Sequence, residues 1–113
     1  MFEFQPRKLK FKAWDKEAEL LMRLDSIAFE KGELFRKDHH ILQFTGLFDR
    51  HHEELYEMDV VLVGNDRHVI HWNADQGCWC YSGEQGMVEN TKLTRDAAGQ
   101  MVRICSYFES RQG

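Results

Sequence analysis

The sequence predicts a mainly β protein built from antiparallel strands, with a small barrel in its C-terminal half. Three observations predict it. Hydrophobic residues recur with a period of two along most of the chain. Turn-forming residues interrupt these runs about every ten residues. Pro6 is the single proline among 113 residues, and no Ser/Gly/Pro-rich linker, repeat or low-complexity tract divides the chain. Residues 1–113 therefore read as one domain. A hydrophobic fraction of 42% against 30% charged residues is enough to build a core.

The elements follow in order. In "RKLKFKAWD", Leu9, Phe11 and Ala13 alternate with Lys8, Lys10 and Lys12, so one strand face is apolar and the other solvated. Asp15 is a turn former. Glu17 to Leu24 has two readings: a helix on the spacing of Ala18, Leu21 and Met22, or a turn and then a strand through "LLMRL". "SIAFEKGELFRKD" reads as a hairpin, with Ile27 and Phe29, a tight turn at Glu30 to Gly32, and Leu34 and Phe35. Gly32 suits that turn because it takes positive φ without a Cβ clash. "HILQF" is a strand that Thr45-Gly46 breaks, and "FDRHHEELY" is a polar turn. "DVVLV" is a β-branched strand. "GNDR" is a turn in which Asn65 and Asp66 tolerate left-handed backbone. "HVIHWN", "CWCYSG" and "MVRICSYF" are further strands, with "ADQG" as the turn between the first two. Short strands from Asp59 to Tyr81 have the spacing of a small barrel. The expected core is Phe11, Phe44, Val60, Leu62, Val69, Ile70, Val102 and Ile104.

Four stretches together resemble the YopX family of small phage and prophage proteins: "KLKFKAWDKE", "ILQFTGLFDRHHEELYEMDVV", "VIHWN" and "MVRICSYFES". Trp14-Asp15 and Phe44-Thr45-Gly46-Leu47 at this separation are the specific part. The resemblance implies a mainly β fold whose second half, residues 45–113, is an SH3-like barrel preceded by a hairpin or meander over 1–44. It implies a phage or prophage origin in a bacterium and no settled activity. Two positions depart from the family pattern. His51-His52 stands where Asn-Gly is usual, so the turn is expected to be longer or of another type. Met58 stands where glycine is usual, so the backbone is expected to bulge or shift there.

The net charge of -4 argues against bulk phosphate binding. Arg7, Lys8, Lys10 and Lys12 form the one basic stretch, read as a solvated strand face. No run approaches the roughly 20 apolar residues of a membrane span, and no secretory leader is visible. With Cys78, Cys80 and Cys105 an odd set, the chain reads as a cytoplasmic protein with reduced thiols.

Cys78, Cys80 and His71 are the candidates for a metal, but C-x-C with H-x-x-H is not a zinc spacing, and His68 and His71 face opposite sides of a strand. No metal or cofactor is expected. His39-His40 and His51-His52 fall in turns and read as solvated. Cys78 or Cys80 with His71 and Asp75 could place a thiol near an imidazole, yet nothing marks an oxyanion hole, phosphate loop or dinucleotide fingerprint. Glu53-Glu54 and Asp15/Glu17 read as solvated carboxylates. The chain therefore reads as non-enzymatic. Aromatic residues are abundant, and Trp72, Trp79, Tyr81 and Tyr56 are the binding candidates. Packing in the barrel core is the ordinary alternative for Trp79 and Tyr81. The expected function is an interaction module for a host or phage macromolecule, a protein before a nucleic acid because of the net charge. Self-assembly through exposed strand edges is the alternative, and a metal- or thiol-dependent enzyme the second.

Overall fold

Period-two patterning and closely spaced turns produce eleven strands and two single-turn helices among the described residues, 2–24, 26, 28–86 and 90–111, of a computed structural model. The strands are β1 (Phe11–Asp15), β2 (Leu20–Arg23), β3 (Ala28–Glu30), β4 (Glu33–Phe35), β5 (His39–Phe48), β6 (Glu54–Tyr56), β7 (Asp59–Val63), β8 (Asp66–Asn73), β9 (Cys78–Gly83), β10 (Thr91–Lys92) and β11 (Val102–Ser106). The helices are α1 (Arg95–Ala98) and α2 (Tyr107–Ser110). The fold is mainly β with antiparallel sheets and one half-barrel, as the periodicity predicts. One sheet has the order β2-β1-β5-β6, a second β10-β9-β8-β7-β11, and β3-β4 stands as a separate hairpin.

The turns explain the registers. Lys31 and Gly32 both take positive φ, so β3-β4 closes with a two-residue turn of type I′ character. In the β7-β8 turn Gly64 takes the left-handed conformation, not Asn65 or Asp66 as expected. The "ADQG" turn ends on Gly77 at φ 66°, and the Asn73 side chain accepts from the amides of Asp75 and Gln76. Glu17 to Leu24 resolves as a turn through Glu19 (φ 54°) followed by β2, not as a helix.

The main core lies on one face of the five-stranded sheet. Leu55, Val61, Ile70, Leu93, Ala98 and Met101 are buried there, with Leu47, Val63, Trp79, Tyr81 and Ala97 packed against them. Val60, Val69 and Cys80, on the other face, are buried too. Burial on both sides is why "DVVLV" is a continuous apolar run.

Several expectations are corrected. "FDRHHEELY" is not all turn, because Glu54–Tyr56 forms β6 and carries the buried Leu55 and Tyr56. "MVRICSYF" stops being strand at Ser106. There Glu109 accepts from the Ser106 amide and starts α2, a signal legible as Ser-x-x-Glu. Ile104 is 40% exposed rather than core, while Leu62 and Val102 are half-buried. Leu9 lies outside β1 and is exposed. Ile27 lies outside the described residues.

The largest correction concerns the lysines. Lys12 shares its strand face with Trp14, Leu42 and Tyr56, which are buried, and its ammonium sits 4.3 Å over the Tyr56 ring. Burial lowers its pKa, and the neighbouring Arg103 lowers it further. Lys10 pairs with Glu54 and lies over the Phe44 ring. The lysine face is therefore divided: Lys12 belongs to a cation–aromatic layer, while Lys8 and Lys10 are exposed as expected.

Candidate functional site

The β8-β9 register sets a partly exposed aromatic pair. Trp72 pairs directly with Trp79, so both rings stand on one face of the sheet, 5.1 Å apart and edge to face. Trp79 packs on the core, whereas Trp72 is 47% exposed at the end of the ladder. Beside them is a cavity of about 290 Å³ whose wall also includes Arg7, Gln43 and Glu57. Burial raises the Glu57 pKa, and the Gln43 amide opposes this by donating to its carboxylate at 3.4 Å. A second cavity of about 560 Å³ adjoins it through Arg7, Gln43 and Trp79, and is lined as well by Lys8, Leu9, Phe44 and Phe48.

The other two aromatic candidates lie apart. Tyr81 packs on the core with its ring edge-on to His68 at 5.6 Å. Tyr56 is buried in the other sheet, where its hydroxyl donates to Glu54 at 3.2 Å. Burial and the adjacent Glu54 carboxylate push its pKa up to about 12.

The metal and thiol candidates share one face of the β8-β9 pair. The Cys78 and Cys80 sulfurs are 3.7 Å apart, and His71 stands opposite Cys80 in register. The His71 Nε2 is hydrogen-bonded to the Ser82 hydroxyl at 2.9 Å. Burial, then the neighbouring Cys78, raises the Cys80 pKa, which disfavours the thiolate that nucleophilic or metal chemistry needs. Among the described residues, no three His, Cys, Asp or Glu side chains are grouped to hold a metal ion. His40 stacks on Phe108 at 5.0 Å, and His39 lies 3.5 Å from Asp15.

The strongest electrostatic arrangement escaped the sequence reading. Asp59, buried at the start of β7, accepts from the Tyr56 amide at 2.8 Å and the Arg103 guanidinium at 2.9 Å. Burial still pushes the Asp59 carboxyl above its ordinary value, with Arg103 acting against it. Asp49 accepts from the amides of His51, Glu53 and Arg103. Burial draws its pKa upward, but these three donors outweigh it and hold the carboxyl below the usual range. Both aspartates tie β11 to turns distant in sequence. Asp and Arg are usually surface residues, so composition gave no signal of their burial.

Residues 21–109 match the family described as YopX protein. The chain belongs to the YopX family. A solved structure, protein EF1440 from Enterococcus faecalis, has the YopX chain's fold with a TM-score of 0.65 at 16% identity, over 95% of this chain and 98% of that one. At that identity the likeness concerns fold alone. No curated protein matches this YopX chain. Among its described residues no helix is long and apolar enough to cross a membrane.

Proposed function

We propose that this YopX-family chain is a non-enzymatic binding module of phage or prophage origin. It works in the cytoplasm of a bacterial host, on an SH3-like half-barrel, and its partner is a host or phage protein. One observation carries the reading: Trp72 is presented to solvent against Trp79, beside a cavity flanked by Arg7 and Glu57. Tryptophan and arginine are the side chains that anchor protein interfaces, because they bury large area while keeping a polar handle. A carboxylate in the wall and a net charge of -4 favour a protein over a nucleic acid. The partners of His71 and the raised Cys80 pKa support binding over thiol catalysis.

The test is affinity capture of a defined partner from infected-host lysate, followed by titration. Trp72→Ala is expected to weaken binding by about 2 kcal/mol, roughly thirtyfold, while the far-UV circular dichroism stays unchanged. Binding undiminished by Trp72→Ala removes the assignment of this face. Absence of any saturable protein partner at micromolar concentration removes the binding-module reading.

A further inference from the structure

The N-terminal arm is the most anomalous part of the surface. Residues 2–10 form no strand, and Phe2 and Phe4 are 91% and 78% exposed. Two phenylalanines so placed on a short segment mark a surface awaiting cover. Two residues apart on an extended chain, they share one face, with Glu3 on the other.

A receiving site stands close by. The Phe44 amide donates to the Lys10 carbonyl at 2.9 Å, the point where the arm departs from β5. Beyond it β5 bulges at Gly46, φ 88°, and its far end pairs with β6 on the opposite flank. Between this opened flank and the arm's own Arg7 to Leu9 lies the cavity of about 560 Å³. Its wall presents the rings of Phe44, Phe48 and Trp79, two cations in Arg7 and Lys8, and no carboxylate.

The arm is poorly placed to fill the cavity of its own chain. Arg7 already forms the wall, so Phe4 would have to reverse direction across Gln5 and Pro6. Pro6 fixes its own φ and restricts Gln5 to extended conformations. On its own chain the arm accordingly leaves Phe2 and Phe4 exposed. We propose that two copies exchange N-terminal arms about a two-fold axis. Phe2 and Phe4 of each copy enter the cavity between Arg7–Leu9 and β5 of the other, while Glu3, on the opposite face of the arm, stays at the mouth within reach of the long Arg7 and Lys8 side chains. The exchange is isologous, so both cavities are filled and no open surface remains to propagate a fibre. It adjoins the Trp72 face, sharing Arg7, Gln43 and Trp79 with it, but uses neither Trp72 nor Glu57.

The test is size-exclusion chromatography with light scattering across the micromolar range, on the full chain. The wild type is expected to be a dimer at the upper concentrations. Phe2→Ser/Phe4→Ser, and separately Phe48→Ser, raise the dissociation constant about tenfold or more; the changed side chains are exposed, so the fold is retained. In a mixture of one chain carrying Phe4→Cys and another carrying Phe48→Cys, oxidation gives a disulfide between the two chains. A wild type monomeric at every concentration overturns the proposal. So does a dimer untouched by the Phe2/Phe4 change, or a mixture that forms no disulfide between positions 4 and 48. Trp72 lines only the neighbouring cavity, so Trp72→Ala is expected to leave the dimer intact, and the two readings fail separately.

Discussion

Met58, at a position where the family pattern has glycine, takes the left-handed backbone itself, φ 65°. Two short hydrogen bonds hold it: its amide donates to the Ile70 carbonyl and its own carbonyl accepts from the Tyr107 amide, both at 2.7 Å. An L-residue in this region carries about 1–2 kcal/mol of strain, partly offset by the entropy glycine loses on folding. Met58→Gly is therefore expected to raise stability by up to about 1 kcal/mol in urea denaturation; a loss of stability contradicts this account. The neighbouring Asp59–Arg103 pair sets a larger effect. Arg103→Met strands a buried carboxylate and is expected to cost about 3–5 kcal/mol. Adding Asp59→Asn to that variant recovers part of the loss, which a double-mutant cycle measures. Asp49 sets an acid limit. Its folded pKa lies below the unfolded value, so its stabilisation is present above the unfolded pKa and is lost as pH falls through the folded one. Asp49→Asn is expected to flatten the decline of stability in that acid window, seen as a smaller pH dependence of the urea midpoint.

β5 shows how an element is specified by a few atoms. It pairs with β1 through Asp15↔His39 to Phe11↔Gln43, then with β6 at Phe44↔Tyr56 and Phe48↔Glu54, with a register shift between those two pairs. Thr45 makes the shift possible. Its hydroxyl donates to the Leu55 carbonyl at 2.8 Å and accepts from the Leu47 amide at 3.1 Å. Gly46 supplies the positive φ, and a Cβ there would meet nothing within 4 Å, so backbone conformation and not space selects glycine. Gly46→Ala is expected to cost about 1–2 kcal/mol and Thr45→Val about 1–3 kcal/mol, by chemical denaturation. This is also where legibility in the sequence divides. Short apolar, β-branched or aromatic runs bounded by turn residues located β7, β8 and β9. "FTGLF" announced a break but not that one strand continues through it. The turn after it is longer than two residues, as the missing Asn-Gly implies, with only His52 of the histidine pair at positive φ. Leu55 and Tyr56 were hidden because three strand residues inside a charged stretch are too few to show a period. At the candidate site, parity placed Trp79 and Tyr81 on one face. It could not show that Tyr56 belongs to another sheet, or that Arg7, Gln43 and Glu57 gather beside Trp72, because those contacts join segments far apart in the chain.

At the scale of the whole molecule, the two larger sheets are joined by a mixed polar and aromatic seam. Lys12 lies over Tyr56, Asp59 bridges Tyr56 and Arg103, and Phe108 of α2 stacks on Trp14 of β1 at 5.7 Å. Burial, then Lys16, lowers the His40 pKa beside the same ring. Phe108→Ala is expected to leave the strand content intact, shift Trp14 emission to the red and lower stability by about 2 kcal/mol. An unshifted emission spectrum would show that α2 does not seal the seam. The pairing of β11 with β7 has a temporal consequence. The Arg103 amide reaches back 54 positions to Asp49 and its side chain 44 positions to Asp59. A nascent chain emerging from the ribosome therefore presents β7 as an unprotected, strongly apolar edge until the last strand has been synthesised and released from the exit tunnel. Messages interrupted before codon 103 should yield products that clump or are degraded, whereas interruption after α2 should not.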